Sequence, residues 1–369
     1  MAKLILTAAT LVMVCTSSWG QVSETVVRGL MSCADTNFQK VHSGELSFSI
    51  KKHPTQQGRL VLPRVIQQLA SQGLPSDLVN SYLAEDVTEG RFVFSGYKFR
   101  IDGSRKRVPQ AGESAPSAGR EGEQIALRYN GKHFAYLSEK GRAVIQNKPG
   151  LDIGDLRVPA ILFFARFPRY TELPSEYLRR AQQEKRLQVI RVTGELGRRM
   201  FVVKITLPSP VASLPPMHEV LHFREDWGCM LVKRELYDTV PYAGRTVTWK
   251  RVETVVDGAQ QVSGGGWFPT QVREVVWGGE IGAPLKYPLV PVAETVLEFR
   301  SSQFNRKLRN ALFEADFPPG TVVENKVSHT FYVVRTPLGQ VKTVGAVALV
   351  LLLVSFIAWR WWLMRQTQG

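Results

Sequence analysis

Apolar and polar residues alternate along most of the middle of the chain, which is the pattern of strands with one buried face. The alternation is clear at Leu46, Phe48 and Ile50, and it returns in segment after segment from residue 91 onward. Asn130-Gly131 separates two such runs and predicts a hairpin with a type I′ turn, since both residues tolerate a positive φ. The pattern predicts a β-dominated α+β fold with a large antiparallel sheet, curled or closed.

Helical periodicity is confined to a few segments, most of them near the start of the chain. Residues 23–40 carry an apolar stripe, and residues 61–84 suggest two shorter pieces interrupted by Gly73 and Pro75. We expect these helices to cover one side of the sheet. Residues 103–123 are rich in Gly, Ser, Pro and charge, and they predict a disordered loop inside the domain.

The first twenty residues have the three parts of a secretory signal peptide. Lys3 supplies the positive charge, Leu4 to Val14 form an apolar run, and Ser18-Trp19-Gly20 offers a cleavage site. The apolar run is too short to cross a bilayer. Residues 1–20 are therefore predicted to direct export and then to be removed.

The other end of the chain predicts a membrane anchor. Thr343 to Trp359 contains no charged residue, and with the apolar residues that follow it reaches about twenty residues, or about 30 Å as a helix. Arg360 and Arg365 follow this run and favour a cytoplasmic end. We predict a transmembrane helix over 341–364, a cytoplasmic tail over 365–369 and an exported domain over 21–340. This makes the chain a single-pass type I protein of the cytoplasmic (inner) membrane, with its bulk in the periplasm.

Charge then narrows the choice of partner. The 369 residues include 47 Lys and Arg against 32 Asp and Glu, a formal net charge of +15. An exported domain does not meet nucleic acid, so we expect no nucleic-acid partner. Anionic lipid headgroups or other acidic envelope material are better candidates, and a solvated basic surface is the alternative.

Three turn segments resemble a known group of proteins. Arg224–Gly228 forms a D-x-G turn between strands, Gly266–Thr270 opens a strand, and Phe317–Thr321 precedes the last one. With the order of helices and strands, they resemble the LolA/LolB-like (outer-membrane lipoprotein-sorting-like) superfamily. The resemblance implies an unclosed β-barrel with covering helices, whose apolar interior holds acyl chains in the characterised carriers. Those carriers are soluble or lipid-anchored, so the predicted transmembrane helix is a departure from the group.

The resemblance implies which residues would line an apolar cavity. The candidates are the aromatic and aliphatic residues of the alternating segments, which would otherwise be ordinary core: Phe48, Phe92, Phe94, Leu127, Tyr129, Phe134 and Tyr136. Cys33 and Cys229 are the two cysteines of the mature chain, and in an oxidising compartment they can form a disulfide or stay as buried thiols.

His218 to His222 matches the H-E-x-x-H pattern of zinc hydrolases. That chemistry needs both histidines on one helix face, but Pro215 and Pro216 precede the segment and a tight turn follows it. We therefore predict a strand, with His218 and His222 as weak metal candidates and no resident cofactor.

These observations predict a membrane-anchored exported protein that binds a membrane lipid or lipoprotein acyl chain and carries out no chemistry. An envelope sensor or scaffold with a protein partner is the alternative, and a zinc-dependent hydrolase is the second alternative.

The anchor prediction can be tested by truncation. Deleting the chain from Lys342 onward should release a soluble exported domain, because the uncharged run is then lost. Membranes washed with alkaline carbonate should retain the full chain and not the truncated one. Retention of both chains would show that the anchor lies elsewhere.

Overall fold

The computed structural model describes residues 24–71, 82–108, 123–137, 142–147, 161–164, 172–208, 215–242, 245–278 and 289–335. The strands of this part are β1 (Ser43–Pro54), β2 (Glu85–Ser95), β3 (Lys98–Val108), β4 (Glu123–Tyr129), β5 (Phe134–Leu137), β6 (Ala143–Gln146), β7 (Leu187–Thr193), β8 (Met200–Thr206), β9 (His218–Arg224), β10 (Met230–Tyr242), β11 (Arg245–Gln261), β12 (Trp267–Gly278), β13 (Val290–Phe304), β14 (Val322–Asn325) and β15 (Thr330–Val333). The helices are α1 (24–40), α2 (Gln56–Ser71), α3 (Ile161–Phe164) and α4 (Pro174–Gln183), with 3-10 turns at Glu225–Trp227 and Asn310–Phe313.

All of the described strands belong to one open sheet. Their order is β15-β14-β6-β5-β4-β3-β2-β1-β13-β12-β11-β10-β9-β8-β7, so β15 and β7 are its two edges. Neighbours pair antiparallel except β14 and β6, which run parallel. The pairing of β1 with β13 joins the first and the last parts of the sheet. The predicted β-dominated, unclosed sheet is confirmed.

The core lies on the inner face of this sheet. Buried apolar residues of the central strands form one cluster, in which Phe94 stacks on Phe268 with ring centroids 5.8 Å apart. Leu30 of α1 and Tyr177 and Leu178 of α4 join the same cluster, so these two helices cover part of the inner face. Each such buried side chain contributes roughly 1.5–3 kcal/mol to stability.

Two contacts fix α1 to the sheet. Cys33 of α1 and Cys229, just before β10, form a disulfide with their Cα atoms 5.6 Å apart. One turn further along α1, the Asn37 side-chain oxygen accepts the Trp267 backbone N–H at 2.7 Å, and its amide donates to the Trp267 carbonyl at 3.2 Å. Gly228 has a φ of 65°, and a Cβ there would lie 2.8 Å from the Asn37 oxygen. Glycine therefore lets the turn approach the helix closely.

The predicted disordered loop at 103–123 is wrong at both of its ends. Gly103–Val108 continues β3 and pairs with Glu85–Gly90 of β2, and Glu123 is already the first residue of β4. The composition suggested a loop because these residues are polar and charged. The backbone ladder with β2 nevertheless holds them in a strand, since strand pairing depends on register and not on apolar side chains alone. Residues 109–122 lie outside the described part of the chain.

The predicted hairpin at Asn130-Gly131 is confirmed, but its turn type is wrong. Gly131 has a φ of 95°, whereas Asn130 is not among the residues with a positive φ. The Asn130 side-chain oxygen instead accepts the backbone N–H groups of Lys132 and His133, at 2.9 Å each. The Asn side chain thus stabilises a longer loop in place of a two-residue type I′ turn.

No helix of the described ranges is long and apolar enough to cross a membrane. The predicted signal peptide (1–20) and the predicted transmembrane helix (341–364) lie outside those ranges.

The disulfide should contribute measurably to stability. Replacing both cysteines (Cys33→Ser with Cys229→Ser) removes a link between residues 196 positions apart, which should lower the free energy of unfolding by about 2–5 kcal/mol. Urea denaturation followed by circular dichroism measures the change. Reductant should lower the urea midpoint of the wild type and leave that of the double variant unchanged; equal midpoints for oxidised and reduced wild type would contradict the assignment.

Candidate ligand groove

A cavity of about 510 Å³ opens on the inner face of the sheet, and we call it the groove. Seven neighbouring strands and two short segments supply its lining residues: Ile50, Lys52, Tyr82, Asp86, Thr88, Arg105, Ile161, Arg234, Leu236, Arg251, Val252, Thr254, Glu274, Val276, Ala293 and Thr295. Its volume is within the range of about 300–1,000 Å³ that small-molecule sites occupy.

The groove depends on the curvature of the sheet. Arg105 of β3 and Leu236 of β10 both line it, although these strands are separated by β2, β1, β13, β12 and β11. Strands lie about 4.8 Å apart, so β3 and β10 would be about 29 Å apart in a flat sheet. One cavity reaches both of them because the sheet curls around it.

Along each central strand, the inward-facing positions change from residues that pack in the core to residues that line the groove. On β1, Leu46, Phe48 and Ile50 pack in the core, and Ile50 and the following inward residue, Lys52, line the groove. Since side chains alternate across a strand, all four point to the same face. The neighbouring strands show the same change in the opposite chain direction: on β2, Asp86 and Thr88 line the groove and Phe92 packs in the core, and on β13, Ala293 and Thr295 line the groove and Leu297 packs in the core. The packed part forms the floor of the groove, and the polar part forms its rim.

Charged side chains of β1, β2 and β3 meet on one side of the rim. Asp86 forms an ion pair with Arg105 at 3.5 Å and also attracts Lys52. The ammonium group of Lys52 lies 5.2 Å from the centre of the Tyr82 ring, within cation–π range. Burial lowers the pKa of Lys52, and the attraction of Asp86 opposes this effect. This side of the rim therefore holds two cations around one carboxylate.

A second charged group occupies the side formed by β10 and β12. Arg234 donates from Nε to Glu219 Oε2 at 2.8 Å, and Glu219 is buried behind it on β9. Glu274 accepts a hydrogen bond from the Thr254 hydroxyl at 3.3 Å. Burial raises the pKa of Glu274 above its ordinary value, although Arg234, the Thr254 hydrogen bond and Lys52 act in the opposite direction. A half-buried carboxyl group with a raised pKa inside a cleft is a common feature of functional sites.

The seven residues predicted to line an apolar cavity lie in the packed core. Phe48, Phe92, Phe94, Leu127, Tyr129, Phe134 and Tyr136 are all buried there, and none of them lines the groove. Phe99, for example, contacts both Tyr129 and Phe134. Apolar alternation identifies the inward face of a strand, but it does not distinguish a filled interior from an open one.

The residues that line the groove did leave a signal in the sequence. Lys52 continues the inward series of Leu46, Phe48 and Ile50, and Asp86 and Thr88 precede Phe92 in the same phase. A charged residue in an inward phase is unusual, because burying a charge without partners is costly. Such residues indicate that the interior opens at that level of the strand.

The His218–His222 segment is the strand β9, as predicted. Glu219, Leu221 and Phe223 are its buried residues, and the two histidines lie on the other face, about 13 Å apart along the strand. The His222 ring forms a 3.2 Å hydrogen bond with Glu235, and the His218 ring stacks on Tyr237. Burial lowers the pKa of both histidines. The described residues contain no group of three His, Cys, Asp or Glu placed to hold a metal ion.

Comparison with known proteins gives fold neighbours only. No family model matches the chain, and no curated protein matches it. A LolA superfamily protein from Nitrosomonas europaea is similar at a TM-score of 0.39 and 12% identity, covering 78% of this chain and 97% of that one. A DUF1329 family protein from Desulfovibrio piger has a TM-score of 0.33 and 12% identity, with coverage of 78% and 97%.

A third neighbour is a Vibrio parahaemolyticus domain described as an outer membrane lipoprotein-sorting protein. Its TM-score is 0.31 at 10% identity, and the match covers 78% of this chain and 100% of that one. At TM-scores of 0.31–0.39, function has to be inferred from the side chains of the groove.

The raised pKa of Glu274 predicts how the stability of the protein depends on pH. Its raised pKa means that the folded protein keeps the proton at pH values where the unfolded chain has lost it, so stability falls as the pH rises from about 4.5 through the folded pKa. Glu274→Gln should therefore be more stable than the wild type at pH 7, by about 1.4 kcal/mol for each unit of the shift. The difference in stability between the variant and the wild type should vanish at a pH below the ordinary pKa of a glutamate side chain.

Thermal unfolding across this pH range provides the measurement. Glu195→Gln is the matched control, because it makes the same substitution in the exposed turn between β7 and β8, outside the groove. A Glu274→Gln variant that is less stable than the wild type at pH 7 would mean that the neighbours of Glu274 stabilise its carboxylate, and this would contradict the raised pKa.

Proposed function

We propose that this protein binds a lipid-like ligand, with an acyl chain in the groove and a polar head at its rim. The observation that carries the proposal is the division of the groove into two parts. Its apolar lining consists of Ile50, Ile161, Leu236, Val252, Val276 and Ala293. Its ionic lining consists of Lys52, Asp86, Arg105, Arg234, Arg251 and Glu274.

The energetics suit a single acyl chain. Each buried methylene contributes about 0.8 kcal/mol, so about ten methylenes would contribute about 8 kcal/mol before the cost of ordering the ligand. The floor below the apolar lining is filled by buried core side chains, such as Phe48 next to Ile50 on β1 and Leu297 next to Thr295 on β13. A chain entering the groove would therefore stop at this floor.

The rim suits a polar head because carboxylates already hold its arginine side chains. Arg105 contacts Asp86, Arg234 contacts Glu219, and Arg251 lies 3.4 Å from Asp238. A phosphate or carboxylate at the rim can share these guanidinium donors, since each guanidinium carries five N–H groups in a fixed fork.

We further propose that residues 341–364 anchor the protein in the cytoplasmic membrane, with the binding domain outside the cytoplasm. The support for this placement is the sequence of both ends: an export signal before residue 21, and an uncharged segment followed by Arg360 and Arg365. In this arrangement the groove binds lipids or lipoproteins of the envelope.

A protein partner is the second candidate function, and the β7 edge of the sheet favours it. Ile190 and Val192 of this edge strand are exposed, as is Leu196 in the turn that follows. An open strand edge with exposed apolar side chains can accept an extended segment of another protein. A zinc hydrolase has no such support, because the HEVLH segment is a strand.

Photo-crosslinking tests the binding proposal. The full chain in nanodiscs would be incubated with a photoactivatable fatty acid, and the labelled peptides identified by mass spectrometry. Label is expected on β1 and on β10 to β13. Leu236→Asp should reduce this labelling at least tenfold (about 1.4 kcal/mol), because it places a carboxylate against the acyl chain.

Ile190→Asp is the matched control. It introduces the same residue at an exposed position of the β7 edge, outside the groove, and should keep wild-type labelling. Circular dichroism would establish that both variants are folded. Label confined to residues 341–364, or equal labelling of the two variants, would contradict the groove and favour the protein-partner function.

A further inference from the structure

The last two described strands expose an unusual amount of apolar surface. We call β14, β15 and their turn, residues 322–333, the terminal hairpin. Val322 is 41% exposed, Phe331 68%, Tyr332 45% and Val333 56%. They are four of the ten large apolar side chains that are exposed in the described part of the chain. This is a local concentration of the kind that marks an interaction surface.

The exposure follows from the position of the hairpin in the sheet. β15 is an edge strand, and among the described strands it pairs only with β14. All four of its residues are exposed, on both faces, whereas Val323 of β14 is buried in a small cluster with Ala135 and Phe317. The hairpin is thus fixed to the domain through β14, while β15 presents its side chains outward.

Chain connectivity decides what this surface meets. The described residues end at Arg335, and the uncharged segment of the proposed anchor begins at Thr343. The seven intervening residues, 336–342, reach at most about 25 Å even when fully extended. If the anchor enters the membrane as proposed, the terminal hairpin has to stay within that distance of the bilayer surface.

The side chains have the chemistry of a membrane interface. Phe331 and Tyr332 are aromatic residues of the kind found at the boundary between headgroups and acyl chains. Lys326 in the turn and Arg335 after β15 are both exposed, and Lys342 follows in the sequence. Basic residues at this position attract anionic lipid headgroups by about 1 kcal/mol each.

We propose that the terminal hairpin is a membrane-contact site: Phe331, Tyr332 and Val333 enter the headgroup region of the outer leaflet, and Lys326 and Arg335 contact its anionic headgroups. This inference rests on the proposed anchor. It adds that the domain is held on the membrane by a specific surface, rather than only tethered near it.

Depth-dependent fluorescence quenching in nanodiscs tests the contact. Single cysteines would be introduced into the full chain by Phe331→Cys or Tyr332→Cys and labelled with an environment-sensitive dye. Cys33 and Cys229 are joined in a disulfide, so a Cys15→Ser background leaves the introduced thiol as the reactive one. The nanodiscs would contain phosphatidylethanolamine and phosphatidylglycerol, with a nitroxide near the headgroup end of the acyl chains.

Leu60→Cys supplies the matched control, because Leu60 of α2 is 66% exposed, close to the value for Phe331. The expected result is quenching at residues 331 and 332 that is several-fold stronger than at residue 60, with a blue-shifted emission. Replacing phosphatidylglycerol by phosphatidylcholine should weaken the quenching at both hairpin positions.

Each other result has a distinct meaning. A carbonate wash of the same membranes reports on the anchor: a chain that is washed off removes the premise and overturns both proposals. A retained chain with no quenching at residues 331 and 332, or with equal quenching at residue 60, overturns the membrane contact and leaves the anchor intact. Unfolding temperatures close to that of the wild type would show that the labelled chains are folded.

Discussion

The antiparallel pairing of β1 with β13 is the interaction on which the rest of the structure depends. Without it, the sheet would divide into two parts, β15-β14-β6-β5-β4-β3-β2-β1 and β13-β12-β11-β10-β9-β8-β7. The same pairing builds the middle of the groove, since Lys52 lies opposite Thr295 and Pro54 opposite Ala293. A ligand in the groove would therefore favour the folded sheet, because the site exists only when both halves are joined.

Much of the sheet was predictable because its strands follow local rules. The segment at His218–His222 could be assigned as a strand from its prolines and its turn, whatever motif its letters match. Residues 103–108 could not, because GSRKRV has the composition of a loop and is a strand only through its pairing with β2. The Asn130 turn shows the same limit, since a side-chain hydrogen bond and not the dipeptide decides its geometry.

The groove was harder to predict than the sheet. Seven aromatic and aliphatic residues had the right phase for a cavity, but curvature brings them together as packed core. The residues that do line the groove come from segments more than 200 positions apart, such as Lys52 and Thr295. Their proximity depends on which strands pair, and periodicity within a segment contains no information about that. One signal can still be recognised within a single segment: a charged residue at an inward-facing position indicates that the interior is open there.

A tether changes what a groove of this kind can do. If residues 336–342 join the domain to a membrane helix, the groove stays within a short distance of one bilayer, so the local concentration of that bilayer's lipids governs its occupancy. Contact through Phe331 and Tyr332 would then restrict rotation of the domain as well as its distance. β15 and β1 belong to the same sheet, so the direction in which the groove opens would be fixed relative to the membrane surface. Such a protein is suited to sampling or presenting lipids at its own membrane, and a mobile carrier would need neither the anchor nor the hairpin.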